Sequence, residues 1–261
     1  MAAAYPNPDG VIAFRRRGIT IGEAYFDEAP VEVDRVDLMR VVGAFSPPDD
    51  GARQLHTLVL DLSADEDAIF EQMSKDTRSK VRRAMQKDPL QVGAATEPAA
   101  ADVDAFADFY DRFAAAQSVS GAFRPRLHAL ADRGNLVLTA VSGEDGQVLV
   151  RHAYVAARGR GFMLYSGSVL DQSGDSGVRN LIGRANRYLH WHDIRLFKER
   201  GFDVYDFGGL DVTGRSEKTA GIARFKQGFG GEVRAVYSST SARSPLGAVV
   251  KRVLGLRGVE F

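Results

Sequence analysis

Three groups of residues in this chain of 261 have the types and spacing to do chemistry. The first is Phe225-Lys226, set within Gly221-Ile-Ala-Arg-Phe-Lys-Gln-Gly-Phe-Gly-Gly231. A Lys ammonium beside a carbonyl or phosphate supplies charge where negative charge develops in a transition state. A solvated Lys on a short helix would read the same way locally. The second is the turn Asp171-Gln-Ser-Gly-Asp-Ser-Gly-Val-Arg179. Its Gly/Ser-rich backbone opens onto a helix, where free N–H groups at Gly174, Ser176 and Gly177 suit a pyrophosphate, with Gln172 and Arg179 flanking it. Capping of the helix by Asp175 or Ser176 is the plainer alternative. The third is a basic helical stretch with Lys75, Arg78, Lys80, Arg82, Arg83 and Lys87. Arg78 and Arg82 are i,i+4 neighbours, as are Arg83 and Lys87, so the charges form two adjoining stripes. Arg78, Arg82 and Arg83 would suit an anionic sugar nucleotide or a phosphate backbone, or would simply face solvent.

Acid–base candidates are sparse. Asp206 and the following Asp211 carry carboxylates, and Tyr165 carries a phenol that could protonate a leaving group. Each has an equally good structural reading. His190 and His192 are i,i+2 on a helix and point apart, and His56, His128 and His152 have no metal-ligand spacing. No metal site is therefore expected. There is no Gly-x-Ser-x-Gly elbow, no Gly-x-Gly-x-x-Gly and no Gly-Lys-Ser/Thr phosphate loop. Cys is absent, which excludes disulfides, thiolate ligands and a Cys nucleophile.

The elements that must position these groups follow from pattern. Strands are expected around 11–25 and 31–45, ending in Ser46-Pro-Pro-Asp-Asp-Gly51, and a buried strand over Leu55–Leu62. Ser63-Ala-Asp-Glu66 has capping-box spacing and opens a helix to about Lys87, stopped by Pro89. Then come a strand (90–96), helices (99–117 and 123–133) and three strands (135–142, 147–157, 161–169) joined by tight turns. A long helix over 177–200 has Val178, Leu181, Ile182, Ala185, Tyr188 and Leu189 at helical spacing. A strand (202–207), a short helix (219–227) and a last strand (231–239) complete the order. This is α/β (α+β), a mixed central sheet with an antiparallel meander and a long crossing helix.

Composition is that of a globular protein, with 44% hydrophobic and 26% charged residues and a formal net charge of zero. Residues 1–70 hold 13 acidic and six basic side chains, against 21 acidic and 28 basic in the rest. The basic body suits an anionic ligand. No apolar run reaches the roughly 20 residues of a membrane span, and the first ten residues lack the pattern of a signal peptide. Ser244–Arg257 is short, apolar and basic, able to touch an anionic membrane surface or to dock on the domain.

The element order resembles the GNAT acetyltransferase fold, whose long helix crosses between two splayed strands. Tyr188-Leu-His-Trp-His-Asp-Ile194, Lys198-Glu-Arg-Gly201, Tyr205-Asp-Phe-Gly-Gly209 and Gly221–Gly231 resemble the Fem-type branch, which builds peptidoglycan cross-bridges; Thr57–Ser63 and Arg78–Ala84 are similar to the segment leading into a Fem lobe. Fem-type aminoacyltransferases carry two lobes, and this chain has room for one complete lobe, about 90–240, with a shortened lead-in. The expected organisation is a β-rich lead-in (1–55), a Fem-like lobe (56–240) and a basic amphipathic tail (241–261). The resemblance implies acyl or aminoacyl transfer to an amine of a cell-envelope sugar or peptide precursor. The co-substrate would be acyl-coenzyme A or aminoacyl-tRNA, held between strands 161–169 and 203–207, with Phe225-Lys226 placing it. In coenzyme A-dependent members the helix turn reads Gln/Arg-x-x-Gly-x-Gly/Ala. Gln172 and Gly177 fit, but Asp175 stands at the first Gly. The expected setting is cytoplasmic, at or near the inner membrane surface. The competing reading is a non-catalytic module of the same fold that binds a ligand or partner.

Overall fold

The structure is a computed structural model that describes residues 9–28, 33–170, 175–214 and 216–253. Gln172 and Gly174 lie outside the described residues, as does the tail beyond Val253.

Ten strands form one sheet in the order β1-β2-β3-β10-β4-β9-β8-β7-β6-β5. They are β1 (Val11–Arg16), β2 (Ile19–Tyr25), β3 (Leu38–Ala44), β4 (Arg53–Asp61), β5 (Gln91–Ala95), β6 (Leu136–Ser142), β7 (Val148–Ala157), β8 (Arg160–Ser168), β9 (Val204–Gly209) and β10 (Glu232–Ala242). The helices are α1 (Glu66–Gln72), α2 (Lys75–Lys87), α3 (Ala100–Gln117), α4 (Arg124–Asp132), α5 (Ser176–Glu199), α6 (Glu217–Gln227) and α7 (Pro245–Val253). Strands β1–β3 extend the same sheet rather than standing apart. The boundary at 55 falls within β4, which lies between β9 and β10, and the boundary at 240 falls within β10.

One face of the sheet is covered by α1, α2, α5 and α6. There Leu58, Leu60, Tyr205 and Phe207 pack against Ile69, Val81, Trp191, Ile194 and Phe197. On the other face the sheet curls, so that Ile12, Phe14 and Leu38 meet Phe106, Leu127 and Leu130 of α3 and α4. The outer strands thus complete the cover over α3 and α4.

The helix expected from Ser63 to Lys87 is two helices. Ser74 accepts the N–H of Thr77 and starts α2 afresh, while α1 begins at Glu66 with Asp65, not Ser63, at its N-cap. In α5 the buried stripe is Ala185, Leu189, His190, Trp191, Asp193, Ile194 and Phe197, so Val178, expected on the apolar face, is exposed. Helix α7 docks through Gly247 and Val250 and turns Leu246, Val249 and Val253 outward. No helix among the described residues is long and apolar enough to cross a membrane.

Candidate active site

Strands β8 and β9 run parallel and pair only from Arg160–Val204 to Phe162–Asp206. Beyond that they diverge, leaving the facing backbone edges of residues 163–168 and 207–209 without a ladder. The opening holds a cavity of about 510 Å³ lined by both strands, by Tyr110 and Phe113 of α3, by Asn186 and His190 of α5, and by Gly221, Phe225 and Lys226 of α6.

The Tyr205–Gly209 segment explains the opening. Asp206 is fully buried and its Oδ1 accepts the Gly208 N–H at 2.7 Å. Oδ1 also receives the Thr57 hydroxyl, and Oδ2 receives the Arg160 guanidinium through Nε at 2.8 Å and through Nη2. Arg160 is itself held between Phe26 and Phe45 and donates to the Gly43 carbonyl at 2.7 Å. The turn this enforces puts Gly208 at φ +70°, where a Cβ would lie 2.6 Å from the Met163 carbonyl oxygen, so only glycine fits. Asp206 does not line the cavity. Expected as a proton acceptor, it is instead a clasp that fixes the fork between β8 and β9, because all its lone pairs face donors within the fold.

Lys226 lies in the cleft as expected, but half-buried rather than exposed. Its Nζ donates to the carbonyls of Gly209 at 2.7 Å and Gly208 at 3.3 Å. An ammonium has three donors, so one remains for a ligand. Burial pulls its pKa down to about 8, partly opposed by the Asp206 charge. Phe225 lines the cavity beside it, with the Arg187 guanidinium 4.8 Å from its ring centroid. Helix α6 is set by Ser216, which caps Thr219, and by the Gly228–Gly231 exit, where Gly230 (φ +82°) passes against the Gln72 carbonyl. Tyr165 also lines the cleft and its hydroxyl oxygen accepts the Phe123 N–H at 3.2 Å, leaving its own proton free to donate.

The remaining expected residues lie elsewhere. Asp175 turns onto its own helix and accepts the Gly177 N–H at 2.7 Å, taking the donor a pyrophosphate would use. Ser176, Gly177 and Arg179 are exposed and do not line the cavity; ten residues before Asn186 on a helix is about 15 Å. Arg78 donates to the carbonyls of Glu71 at 2.6 Å and Met73 at 2.9 Å, capping the end of α1, and pairs with the Glu71 carboxylate. Arg82 pairs with Glu71 and covers the Phe70 ring. Arg83 is exposed on the same helix, and none of the three reaches the cleft. Asp211 is held in its own turn by Thr213.

Two features of the site escaped the sequence reading. The first is a buried polar chain behind the cleft. His190 Nδ1 lies 2.7 Å from the Tyr205 hydroxyl, which is 2.8 Å from that of Tyr154, which donates to Asp193 Oδ2 at 2.7 Å. His152 joins Asp193 (2.8 Å) to Asn186 (3.0 Å), and Thr139 donates to the same carboxylate at 3.1 Å. Burial alone would raise the Asp193 carboxyl, but hydrogen bonds and charge from His152 and His192 hold it well below the usual range. Burial, then His152, pushes His190 well below the ordinary imidazole value. The signal was present: Asn186, His190 and Asp193 are i, i+4, i+7 on α5, a polar stripe within its buried face. The second feature is a groove of about 810 Å³ that shares Tyr110, Leu164 and Tyr165 with the cleft and carries Arg16 and Arg126. Arg126 and Arg40 pair with the buried Glu23 at 3.0 and 2.6 Å, and burial, then the charges of Arg17, Arg126 and Arg40, lower the pKa of Arg16. The groove's parts lie far apart in sequence. Among the described residues, no three His, Asp or Glu side chains are arranged to hold a metal ion.

The family model for the acetyltransferase (GNAT) domain matches residues 71–227, more than half of the chain and the stretch that builds the fork. The chain belongs to the GNAT acetyltransferase family. Among solved structures this GNAT protein is similar to FemX, with a TM-score of 0.62 at 12% identity over 94% of this chain and 86% of that one. It is also similar to the C-terminal domain of a putative lysylphosphatidylglycerol synthetase from Agrobacterium fabrum (TM-score 0.54, 15% identity, 97% and 92% covered). A conserved protein of unknown function from Bacteroides thetaiotaomicron aligns at a TM-score of 0.53 and 9% identity, over 92% and 85% of the two chains. These likenesses establish a Fem-like GNAT fold. No functionally curated protein matches the sequence.

Proposed function

We propose that this GNAT protein is an N-acyltransferase that moves an acyl or aminoacyl group from a thioester or ester donor onto an amine of a cell-envelope sugar or peptide precursor. The observation that carries the proposal is the β8–β9 fork with Lys226 inside it, one ammonium donor left over and its charge partly stripped of water. The donor carbonyl enters the fork, where unpaired strand-edge backbone and Lys226 meet the oxygen on which negative charge develops. The amine lone pair forms the C–N bond, and collapse breaks the C–S or C–O bond with its electron pair on the leaving atom. Tyr165 gives that atom a proton.

The adjoining groove supports an acceptor that carries a phosphate or carboxylate, because the guanidinium-bearing Arg16 and Arg126 line it. Either acyl-coenzyme A or aminoacyl-tRNA fits as co-substrate. The Asp175 cap weighs against a pyrophosphate at the α5 N-terminus. Lys75, Arg83 and Lys87 make no ion pair among the described residues and face a groove along α2, a surface that suits a tRNA backbone. The outward residues of α7, with Lys251 and Arg252 beside them, suit a peripheral contact with an anionic membrane at its inner surface. Incubating the protein with each donor class and a panel of phosphorylated and neutral amines tests the proposal. N-acylated product, lost in Lys226→Met, is expected.

A further inference from the structure

The transferase reading lacks a group to take the proton that the acceptor nitrogen must lose. Among the described residues no carboxylate lines the cleft: the Asp206 oxygens are committed to Arg160, Thr57 and Gly208, and Lys226 is a donor to two carbonyls. His190 lines the cleft from α5 and is the one imidazole to do so. It sits among the rings of Phe207, Phe225 and Phe229, at centroid distances of 5.1, 5.4 and 5.0 Å.

The proton count along the buried chain fixes which ring nitrogen is free. Asp193, ionised, only accepts. Tyr154 and Tyr205 stay protonated, since burial and then the Asp193 charge push both well above the ordinary phenol value. Tyr154 spends its one proton on Asp193. The Tyr154–Tyr205 bond therefore uses the Tyr205 proton. Tyr205 has none left for His190, so Nδ1–H of His190 must donate to Tyr205. In the neutral ring Nε2 then bears the lone pair, and it has no hydrogen-bond partner among the described residues. We infer that His190 Nε2 is the general base of the transfer, held in its tautomer by Tyr205, Tyr154 and Asp193, the last three being positioning residues. This rests on the transferase reading above.

As the C–N bond forms, the acceptor N–H pair stays on nitrogen and the proton moves to Nε2. The imidazolium is stabilised by the Asp193 charge while Nδ1–H stays on Tyr205, then the Nε2 proton leaves to solvent, from which Tyr165 recovers the one it gave up. The groups facing His190 are His152 of β7, Tyr205 of β9, Lys226 of α6, and Arg187 and Asp193 of α5. Of these Asp193 favours the imidazolium, while His152, Lys226 and Arg187 oppose it.

Two measurements test the inference. Nitrogen-15 NMR of the histidine-labelled, unsubstituted protein at pH 7 reads the tautomer. A protonated Nδ1 and bare Nε2 at His190 is expected, with the ring shifting to mixed tautomers in Tyr205→Phe. An Nε2–H ring in the unsubstituted protein overturns the assignment. Kinetics on an acyl donor and amine pair then reads the role. His190→Gln should lower kcat by roughly 10²–10⁴ with the donor KM unchanged. Full kcat in His190→Gln overturns the base while leaving the transferase intact. Absence of transfer by the unsubstituted protein overturns the transferase reading and the base role together, whatever the tautomer.

Discussion

Replacing Lys226 by Met separates catalysis from stability at one atom. The side chain keeps nearly the same length, so no large cavity opens. Holding Nζ charged in the cleft lowers its pKa from 10.5 to about 8. At 1.36 kcal/mol per unit, that is a cost of about 3 kcal/mol to the folded state at neutral pH. Met removes this cost but leaves the Gly209 carbonyl, and the longer contact to the Gly208 carbonyl, without their donor, a loss of about 1–3 kcal/mol. The sum is a protein as stable as the original or up to about 2 kcal/mol more stable. Transfer should fall by roughly 10²–10³, the usual effect of deleting one oxyanion donor. Urea denaturation and initial-rate acylation on the same preparation decide it. Unchanged kcat removes Lys226 from the chemistry, and a stability loss above about 3 kcal/mol makes it a structural strut instead.

The same pKa gives a pH signature. Between pH 8 and 9.5 the unfolded lysine still holds its proton while the folded one releases it, so stability rises with pH, by about 1.5 kcal/mol relative to Lys226→Met in paired denaturation curves. Tyrosines held protonated by burial reverse the trend above about pH 10, which sets the upper limit of the window. Gly208→Ala places a Cβ 2.6 Å from the Met163 carbonyl at φ +70°, and should lose at least about 2 kcal/mol by chemical denaturation. Asp206→Ala strands the buried Arg160 guanidinium and should cost about 3–5 kcal/mol, where a mere catalytic base would lose rate and keep its fold. Arg16→Gln should reduce the kcat/KM preference for a phosphorylated over a neutral amine by about tenfold, or about 1.4 kcal/mol, read from competition between the two acceptors.

Element order was legible because local signals agreed with the global fold: Pro89 ends α2, Gly201 follows α5, and the meander turns carry Gly146 and Gly159 at positive φ. What local pattern does not encode is pairing across the sheet. The insertion of β4 between β9 and β10 joins residues about 150 positions apart, and with it the Thr57–Asp206 contact that makes Asp206 a clasp. The same limit hid the adjoining groove, built from β1, α4 and the α3–α4 connection. Arg78 read as a free charge because its partners are the backbone carbonyls of α1, and nothing in composition announces that the helix breaks at Ser74. Phe225-Lys226 was legible through the resemblance of its surroundings to the Fem-type branch and Tyr165 through its phenol on the strand opposite, and they come together with His190 around a single cavity.

The central claim is that the fork between β8 and β9 transfers acyl groups. Mass spectrometry of amine acceptors after incubation with acyl-coenzyme A or with aminoacyl-tRNA, using the unsubstituted protein and Lys226→Met side by side, tests it most directly. The account predicts an N-acylated acceptor from the unsubstituted protein with at least one donor class, and product reduced at least about a hundredfold in the variant. Equal product from both, or donor binding by calorimetry with no product from either, would contradict it and leave a fork that binds without reacting.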